Sequence, residues 1–236
     1  MIGLGLIRCQ AEGRNRRECV VIDHLFVCVA TGAPEAEHLI ASGLREGSPN
    51  VHKGQGTANR RFFFHNATIE LIWVHDEAEA RSEAAARTRI FDRWKGRNEG
   101  TCPFGICVRS KATPPFTAWD YRPIYLPPPL SISVAGNSDA LDEPLLFHVS
   151  FGSRPDELPP ERRQPLEHRL RLREITRLQW LRPSSDPLSP ELRALVAAGV
   201  LSVASGPAHA LEIAFDDEAR GRHLSLAPEL PITFRW

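Results

Sequence analysis

Residues 34–44 read P-E-A-E-H-L-I-A-S-G-L and residues 190–200 read P-E-L-R-A-L-V-A-A-G-V, with five of the eleven positions identical. In both segments proline occupies the first helical position, glutamate follows in the first turn, and glycine ends the pattern. A Leu-Ile or Leu-Val pair gives each segment an apolar ridge that would pack on a sheet. The two segments therefore predict two short amphipathic helices of the same kind.

One strand is predicted before each helix and several strands after it. Alternating apolar residues predict the preceding strands at 20–28 and 175–181. Extended segments joined by turns follow at 60–65 and 68–74 in the first half, and at 210–215, 223–226 and 232–236 in the second. Two copies of a module made of a strand, a helix and several strands are the simplest explanation of this order.

The segment between the two copies has a different composition. Residues 76–94 are rich in Ala, Glu and Arg and predict an amphipathic helix, and 12 of the 20 prolines then fall between Pro103 and Pro165. Within this proline-rich stretch, short strands are predicted at 104–109, 130–134 and 145–151. The predicted organisation is a leader at 1–18, a first module at 19–75, an insert at 76–171 and a second module at 172–236, the modules forming one folding unit.

Composition restricts the class of partner. The 29 basic and 29 acidic residues cancel, which disfavours binding to nucleic acid. The five cysteines contain no C-x-x-C pair, so a disulfide framework or a cysteine zinc site is not predicted and a cytoplasmic location is favoured. The N-terminal apolar stretch at 1–7 is too short to span a membrane. We expect a small-molecule ligand, with no nucleic acid and no membrane as partner and with a homodimer left open.

His24 and Glu70 are the principal candidates for chemistry. Alternation places His24 on the strand face of Ile22 and Phe26, and it places Glu70 among aliphatic residues on a half-buried strand. Burying a carboxylate in such a position is costly unless a cation, a proton or a hydrogen bond compensates its charge. The two residues are therefore candidate catalytic groups. The simpler alternative is an internal hydrogen bond between them.

Three short motifs resemble a known family. Ile22-Asp23-His24-Leu25, Gly56-Thr57-Ala58-Asn59 and Ile69-Glu70-Leu71-Ile72 occur in the order seen in the glyoxalase-like branch of the vicinal oxygen chelate superfamily. This superfamily includes glyoxalases, extradiol dioxygenases and bleomycin-resistance proteins. The resemblance implies an α+β fold in which two βαβββ modules form curved mixed sheets around a cavity. It also implies that His24 and Glu70 are metal ligands, for Zn, Fe, Mn or Ni.

Five further residues are candidates for substrate binding. The resemblance places the Thr57-Ala58-Asn59 element near the cavity mouth, where the Asn59 amide would orient a carbonyl, and Arg60 or Arg61, on opposite faces of the strand, would bind a carboxylate. Trp119, Tyr121 and Arg122 lie together just before the run of prolines and would roof a pocket. The alternatives are a solvated strand end for the arginine and a structural role for the aromatic residues. The glycine spacing does not match a phosphate loop, so no nucleotide cofactor is predicted.

The second copy of the module lacks the ligand types of the first. Aligning the copies sets Arg177 opposite His24 and Ser225 near the counterpart of Glu70, and neither is a good metal ligand. A second histidine would have to come from His148 or His223. The sequence thus predicts a glyoxalase-like enzyme, divalent-metal dependent or not, acting on adjacent oxygens or on an acidic carbon beside a carbonyl. The alternative is a non-catalytic protein that binds and sequesters a small molecule, as bleomycin-resistance proteins do.

Overall fold

The computed structural model describes residues 20–236, so the predicted leader at 1–18 lies outside the described residues. Its strands are β1 (Val21–Cys28), β2 (Asn50–His52), β3 (Thr57–Phe63), β4 (Thr68–Val74), β5 (Phe104–Arg109), β6 (Ala118–Tyr121), β7 (Ile132–Ala135), β8 (Leu145–Val149), β9 (Ile175–Arg182), β10 (Ser202–Ser205), β11 (Ala210–Phe215), β12 (His223–Ser225) and β13 (Ile232–Arg235). Its helices are α1 (Ala36–Ala41), α2 (Glu77–Ala80), α3 (Glu83–Ala86), α4 (Ile90–Gly96) and α5 (Pro190–Ala197). Among residues 20–236, no helix is long and apolar enough to cross a membrane. The predicted α+β class with curved mixed sheets is confirmed.

The larger sheet has eight strands in the order β2-β3-β4-β1-β5-β8-β7-β6. Its first half is a βαβββ unit, in which β1 leads through α1 to the hairpin strands β2, β3 and β4 and lies parallel to β4. Its second half repeats the same strand order, because β5 lies parallel to β8 while β7 and β6 follow antiparallel. The halves join where β1 and β5 pair antiparallel.

The partner of the first unit is therefore built from the segment predicted to be an insert. The strands predicted at 104–109, 130–134 and 145–151 correspond to β5, β7 and β8. No helix follows β5, since residues 110–117 form bends and irregular chain. A second module could not be predicted here, because the helix that carries the internal repeat is missing from it.

Residues 175–235 form a separate five-stranded sheet in the order β10-β9-β11-β13-β12. The predicted strands and helix are present, but β9 pairs in parallel with β10, the strand directly after α5. In the first unit, by contrast, β1 pairs with the last strand, β4. The prediction that 172–236 repeats the βαβββ unit is thus corrected. The repeated helix sequence predicts a helix that packs on a sheet, but it does not determine the order in which the strands of that sheet pair.

Helix α5 bridges the two sheets. The Ser189 backbone N–H, just before the helix, donates a 2.7 Å hydrogen bond to Glu143 Oε1 in the second unit of the larger sheet. Gly136 lies so close to α5 that a Cβ there would stand 2.9 Å from Glu191 Oε1. The helix that resembles α1 in sequence therefore packs beside the unit that has no helix of its own.

The two faces of the larger sheet have different roles. Leu25 and Val27 of β1 enter a core that also contains Trp180 and Phe234 of the smaller sheet. The smaller sheet therefore covers this face. Phe26 and other residues of opposite parity belong to a second, smaller apolar cluster on the other face. Because successive side chains of a strand alternate, His24 shares the face of Phe26.

The region predicted as one amphipathic helix from Asp76 to Trp94 contains three short helices. Asp76 Oδ1 accepts the Glu79 N–H at 3.0 Å and so begins α2, and Ser82 Oγ accepts the Ala85 N–H at 3.4 Å and begins α3. Arg89 then adopts a left-handed φ of 57° before α4. Side-chain caps within the apolar pattern thus restart the helix, which apolar spacing alone does not predict.

Candidate active site

A cavity of about 200 Å³ lies on the face of the larger sheet that carries His24. At roughly 30 Å³ for each water molecule, it would hold about seven waters or a small organic molecule. Both four-stranded units contribute to its wall, and most of the lining is apolar. The polar groups that decide its chemistry are His24, Glu70, His52, Gln55, Tyr121 and Tyr125.

His24 is fixed by its neighbour in sequence. The register of β1 against β5 shifts between Ile22 and His24, and this irregularity allows Asp23 to line the cavity as well. His24 Nδ1 lies 2.8 Å from Asp23 Oδ1, while Arg109 donates to Asp23 Oδ2 at 3.1 Å. Asp23 thus orients the imidazole and leaves its Nε2 for other partners.

Charge near His24 favours its protonated form. Burial by itself lowers the pKa of His24, but the Cys107 sulfur, the Glu70 carboxylate and the hydrogen bond to Asp23 together raise it well above 6.5. Burial acts to raise the pKa of Asp23, yet His24 and Arg109 hold it below its usual range. Burial also raises the pKa of the Cys107 thiol to about 11. Because the Cys107 thiol is neutral at neutral pH, the Glu70 carboxylate and the hydrogen bond to Asp23 are the interactions that favour an imidazolium at His24 under these conditions.

Glu70 reaches the same cavity from β4, the strand next to β1. Asn59 Nδ2 donates a 2.7 Å hydrogen bond to Glu70 Oε2. Asn59 is fully buried, and its own Oδ1 accepts the Asn50 N–H at 2.9 Å, so its amide cannot turn freely. One carboxylate oxygen of Glu70 is thus committed, and the prediction that Asn59 contacts substrate becomes a role in positioning Glu70.

The other predicted substrate-binding residues have different locations. Tyr121 lines the cavity. Arg60 is not part of its wall and instead donates to Glu46, with Nε to Oε1 at 2.7 Å, and to Glu37 at 2.8 Å. The Arg87 guanidinium stacks over Trp119, with its central carbon 4.2 Å from the centroid of the indole ring. Arg122 is 67% exposed and pairs with Asp120. The structure therefore brings Tyr121 to the cavity but not Arg60, Trp119 or Arg122.

The second histidine of the cavity is His52 rather than His148 or His223. His148 is buried on the opposite face of β8, where Nε2 lies 3.0 Å from Ser110 Oγ. His223 is exposed on β12 of the smaller sheet. His52 ends the three-residue edge strand β2, which is too short to show alternation. The only sequence signal for it is the following turn, Gly54-Gln55-Gly56, which folds the strand back.

Asp23, His24 and Cys107 could hold a metal ion, since each offers one ligand atom and these atoms lie within 4.8 Å of one another. Neither Asp23 nor Cys107 was among the residues predicted from sequence. Asp23 already binds His24 Nδ1 and Arg109, the arrangement of a carboxylate that orients a ligating histidine. The remaining nitrogen of His24, the thiol of Cys107 and the second oxygen of Glu70 are donors that fit a divalent transition metal.

A close backbone approach holds the turn beside His52. Gly56 has a φ of +71°, and a Cβ there would stand 2.2 Å from the Asp76 carbonyl oxygen. Glu79 Oε2 accepts the Gly54 N–H at 2.7 Å and the Gly56 N–H at 3.2 Å. The turn is thus pressed against the start of α2.

Gly56→Ala is expected to destabilise the protein by at least 2 kcal/mol, because the methyl group overlaps backbone atoms that cannot move aside. Gly100→Ala is the matched control: its φ is +91° but no atom lies within 4 Å of an added Cβ. That variant should lose only about 1 kcal/mol from the left-handed conformation. Urea unfolding of both variants measures the difference, and equal losses would show that the approach to Asp76 is not restrictive.

The chain is similar to known proteins in part of its sequence and in its fold. A family model described as a glyoxalase-like domain matches residues 22–118, whereas no curated protein matches the chain. A hypothetical protein from Staphylococcus aureus has a similar fold, with a TM-score of 0.50 and 9% identity over 92% of this chain and 99% of that one. Methylmalonyl-CoA epimerase from Mycobacterium tuberculosis gives a TM-score of 0.35 and 16% identity over 59% of this chain and 94% of that one. Residues 22–118 contain His24, Glu70 and Cys107, so this part of the chain is similar to a glyoxalase-like domain, the family that its sequence motifs also resemble.

Proposed function

We propose that the protein is a small-molecule enzyme that moves a proton at a carbon beside a carbonyl group. The observation that carries the proposal is the meeting of His24 and Glu70 in one apolar cavity. Each is held by a second polar group, His24 by Asp23 and Glu70 by Asn59. Acid–base groups fixed in this way are preorganised for proton transfer.

The residues suggest a division of roles. The free oxygen of Glu70 takes the proton from carbon, and the electron pair of the C–H bond moves into the carbonyl group to give an enolate. The His24 imidazolium donates a hydrogen bond or its Nε2 proton to the enolate oxygen, while Asp23 balances its charge. Glu70 then returns its proton to the same carbon while the carbonyl group re-forms and His24 takes back any proton that it gave to the oxygen, so the reaction conserves atoms and needs no oxidant.

A divalent metal is compatible with the same residues, and His24 and Glu70 would hold it with Cys107 nearby. When bound, such an ion supplies Lewis-acid polarisation of the substrate's oxygen atoms. Asp23 and Asn59 would keep their present roles of orienting His24 and Glu70.

Deuterium exchange tests the proposal without knowledge of the natural substrate. The protein is incubated in D₂O with a ketone, an α-hydroxy ketone, an α-keto acid and a thioester, and loss of the C–H signal is followed by proton NMR. We expect faster exchange for at least one compound and a loss of at least about 100-fold in Glu70→Gln. Equal rates with and without protein for all four compounds would contradict an enzymatic function.

Metal analysis of untagged protein, paired with the exchange assay, decides the role of a metal. If His24 and Glu70 hold an ion, metal should be present near one equivalent in the wild type and fall in His24→Ala. Exchange that persists in fully metal-free protein would assign the proton transfer to the side chains alone.

A second candidate function is binding without chemistry. It is favoured by the aromatic wall of the cavity, to which Phe26, Phe147, Tyr121 and Tyr125 contribute. In that case a small aromatic alcohol such as benzyl alcohol would bind to the wild type and to Glu70→Gln alike, and neither protein would exchange protons.

A further inference from the structure

His52 is held at the cavity wall by a series of three connected hydrogen bonds. Tyr125 Oη donates to Gln55 Oε1 at 2.9 Å, and Gln55 Nε2 donates to Thr57 Oγ1 at 2.8 Å. Thr57 Oγ1 lies 2.9 Å from His52 Nδ1. Gln55 and Thr57 are buried, and the Tyr125 ring packs on the His52 ring with centroids 5.1 Å apart. The ring of His52 is therefore fixed both in position and in orientation.

Counting protons along this series of hydrogen bonds determines which nitrogen of His52 carries hydrogen. A threonine hydroxyl has one proton to donate. Thr57 Oγ1 already accepts from Gln55, and among residues 20–236 its recorded partners are only Gln55 and His52. If Oγ1 also accepted from His52, its own proton would be buried without an acceptor, so the hydroxyl proton points to His52 Nδ1, which acts as the acceptor. A neutral imidazole that accepts through Nδ1 carries its proton on Nε2.

From this geometry we infer that His52 is a hydrogen-bond donor of the cavity, presenting Nε2–H to the oxygen of a bound carbonyl compound. Within the described part of the chain, Nε2 of His52 has no hydrogen-bond partner of its own, although the residue lines the cavity. A neutral imidazole can polarise a carbonyl group and stabilise the enolate oxygen without giving up its proton. His52 is then complementary to His24, which carries a positive charge.

The electrostatic surroundings support a neutral ring. Burial lowers the pKa of His52, and this effect is larger than that of the Glu70 carboxylate, whose negative charge acts to raise the pKa. Burial also raises the pKa of the Tyr125 hydroxyl, which keeps the proton that it donates to Gln55. The role in stabilising an enolate rests on the proposed function, whereas the position of the proton on His52 does not.

Nitrogen NMR of histidine-labelled protein tests the inference, with the His52 signals assigned by their absence in His52→Gln. At neutral pH we expect the Nε2–H tautomer in the wild type. Thr57→Val keeps the size of the side chain and removes its hydroxyl, so His52 should there become a mixture of tautomers. A wild-type His52 in the Nδ1–H tautomer or as an imidazolium would overturn the inference, whatever the activity of the protein.

The exchange assay then tests the catalytic role. His52→Gln retains an N–H donor and is expected to keep at least about a tenth of the wild-type kcat, while His52→Leu loses about 100-fold or more with little change in KM. Equal rates in both variants and the wild type would overturn the role of His52. If the wild-type protein itself catalysed no exchange, the proposed function would be contradicted, and NMR would still decide the tautomer of His52.

Discussion

His24→Ala is expected to lower the rate of proton exchange by about 10²–10⁴-fold, the range typical of a positioned general acid or base. The substitution removes the imidazole that is paired with Asp23 and that would donate to an enolate oxygen. Because His24 is half-buried in a cavity wall and not in the main core, the variant should stay folded.

His223→Ala serves as the matched control for this experiment. His223 is an exposed histidine on the smaller sheet, and its loss should leave the exchange rate unchanged. Far-ultraviolet circular dichroism and proton NMR establish that both variants are folded. A folded His24→Ala protein with the wild-type rate would remove His24 from the mechanism.

The pH profile follows from the ion pair of His24 and Asp23. Since the pKa of His24 is raised well above 6.5, the imidazolium persists through neutral pH, and on the alkaline side activity should fall as pH rises through this raised pKa. The contribution of His24 to stability is likewise fully present below 6.5 and is lost as pH rises through its raised pKa, whereas that of Asp23 is lost as pH falls through its lowered pKa. Asp23→Asn should lower the pKa of His24 and so shift the alkaline limb of the kcat profile to lower pH. An alkaline limb at the same pH in Asp23→Asn and in the wild type would show that Asp23 does not raise the pKa of His24.

Arg93→Leu is expected to destabilise the protein by about 3 kcal/mol or more. The Arg93 side chain is fully buried in α4, and its guanidinium donates to the backbone carbonyl groups of residues 102, 138, 140, 141 and 143. These carbonyl groups belong to the residue two positions before β5 and to the segment between β7 and β8. Removing the guanidinium leaves several buried acceptors without a donor and loosens the second unit.

Urea unfolding of Arg93→Leu and Arg122→Leu compares a buried arginine with one that is 67% exposed. The exposed substitution should change the free energy of unfolding by no more than about 0.5 kcal/mol. A loss in Arg93→Leu as small as that in Arg122→Leu would contradict the anchoring role of Arg93.

The first unit could be predicted from sequence because its strands are long and their two faces differ. Eight residues of β1 and seven of β4 alternate clearly enough to place His24 and Glu70 on strand faces. Strands β1 and β4 are neighbours because the βαβββ order places them so. The meeting of these two residues at one cavity is thus a consequence of periodicity together with strand order.

The second unit could not be predicted, because its evidence in the sequence is weak. Strands β6 and β7 have four residues each, and no helix separates β5 from β6. The proline-rich connections favour irregular chain, and the only recognisable repeat lies in α5, which belongs to a different sheet. Tertiary packing, rather than local propensity, decides where α5 lies.

Three residues of the candidate site were missed for separate physical reasons. Asp23 reaches the cavity through an irregularity in β1 that alternation does not foresee. His52 lies at the end of an edge strand of three residues. Cys107 is opposite His24 in the register of β1 and β5, and that pairing is visible only once the two units are joined.

The most direct test of the central claim is to fill the cavity and measure proton exchange. Ile132 lines the cavity from β7, whereas Ile124 is 72% exposed on the loop before it. Ile132→Trp should lower the exchange rate by at least about 100-fold, since a cavity of about 200 Å³ cannot hold both an indole and a substrate. Ile124→Trp should keep the wild-type rate. A folded Ile132→Trp protein that exchanges protons as fast as the wild type would show that the reaction does not take place in this cavity.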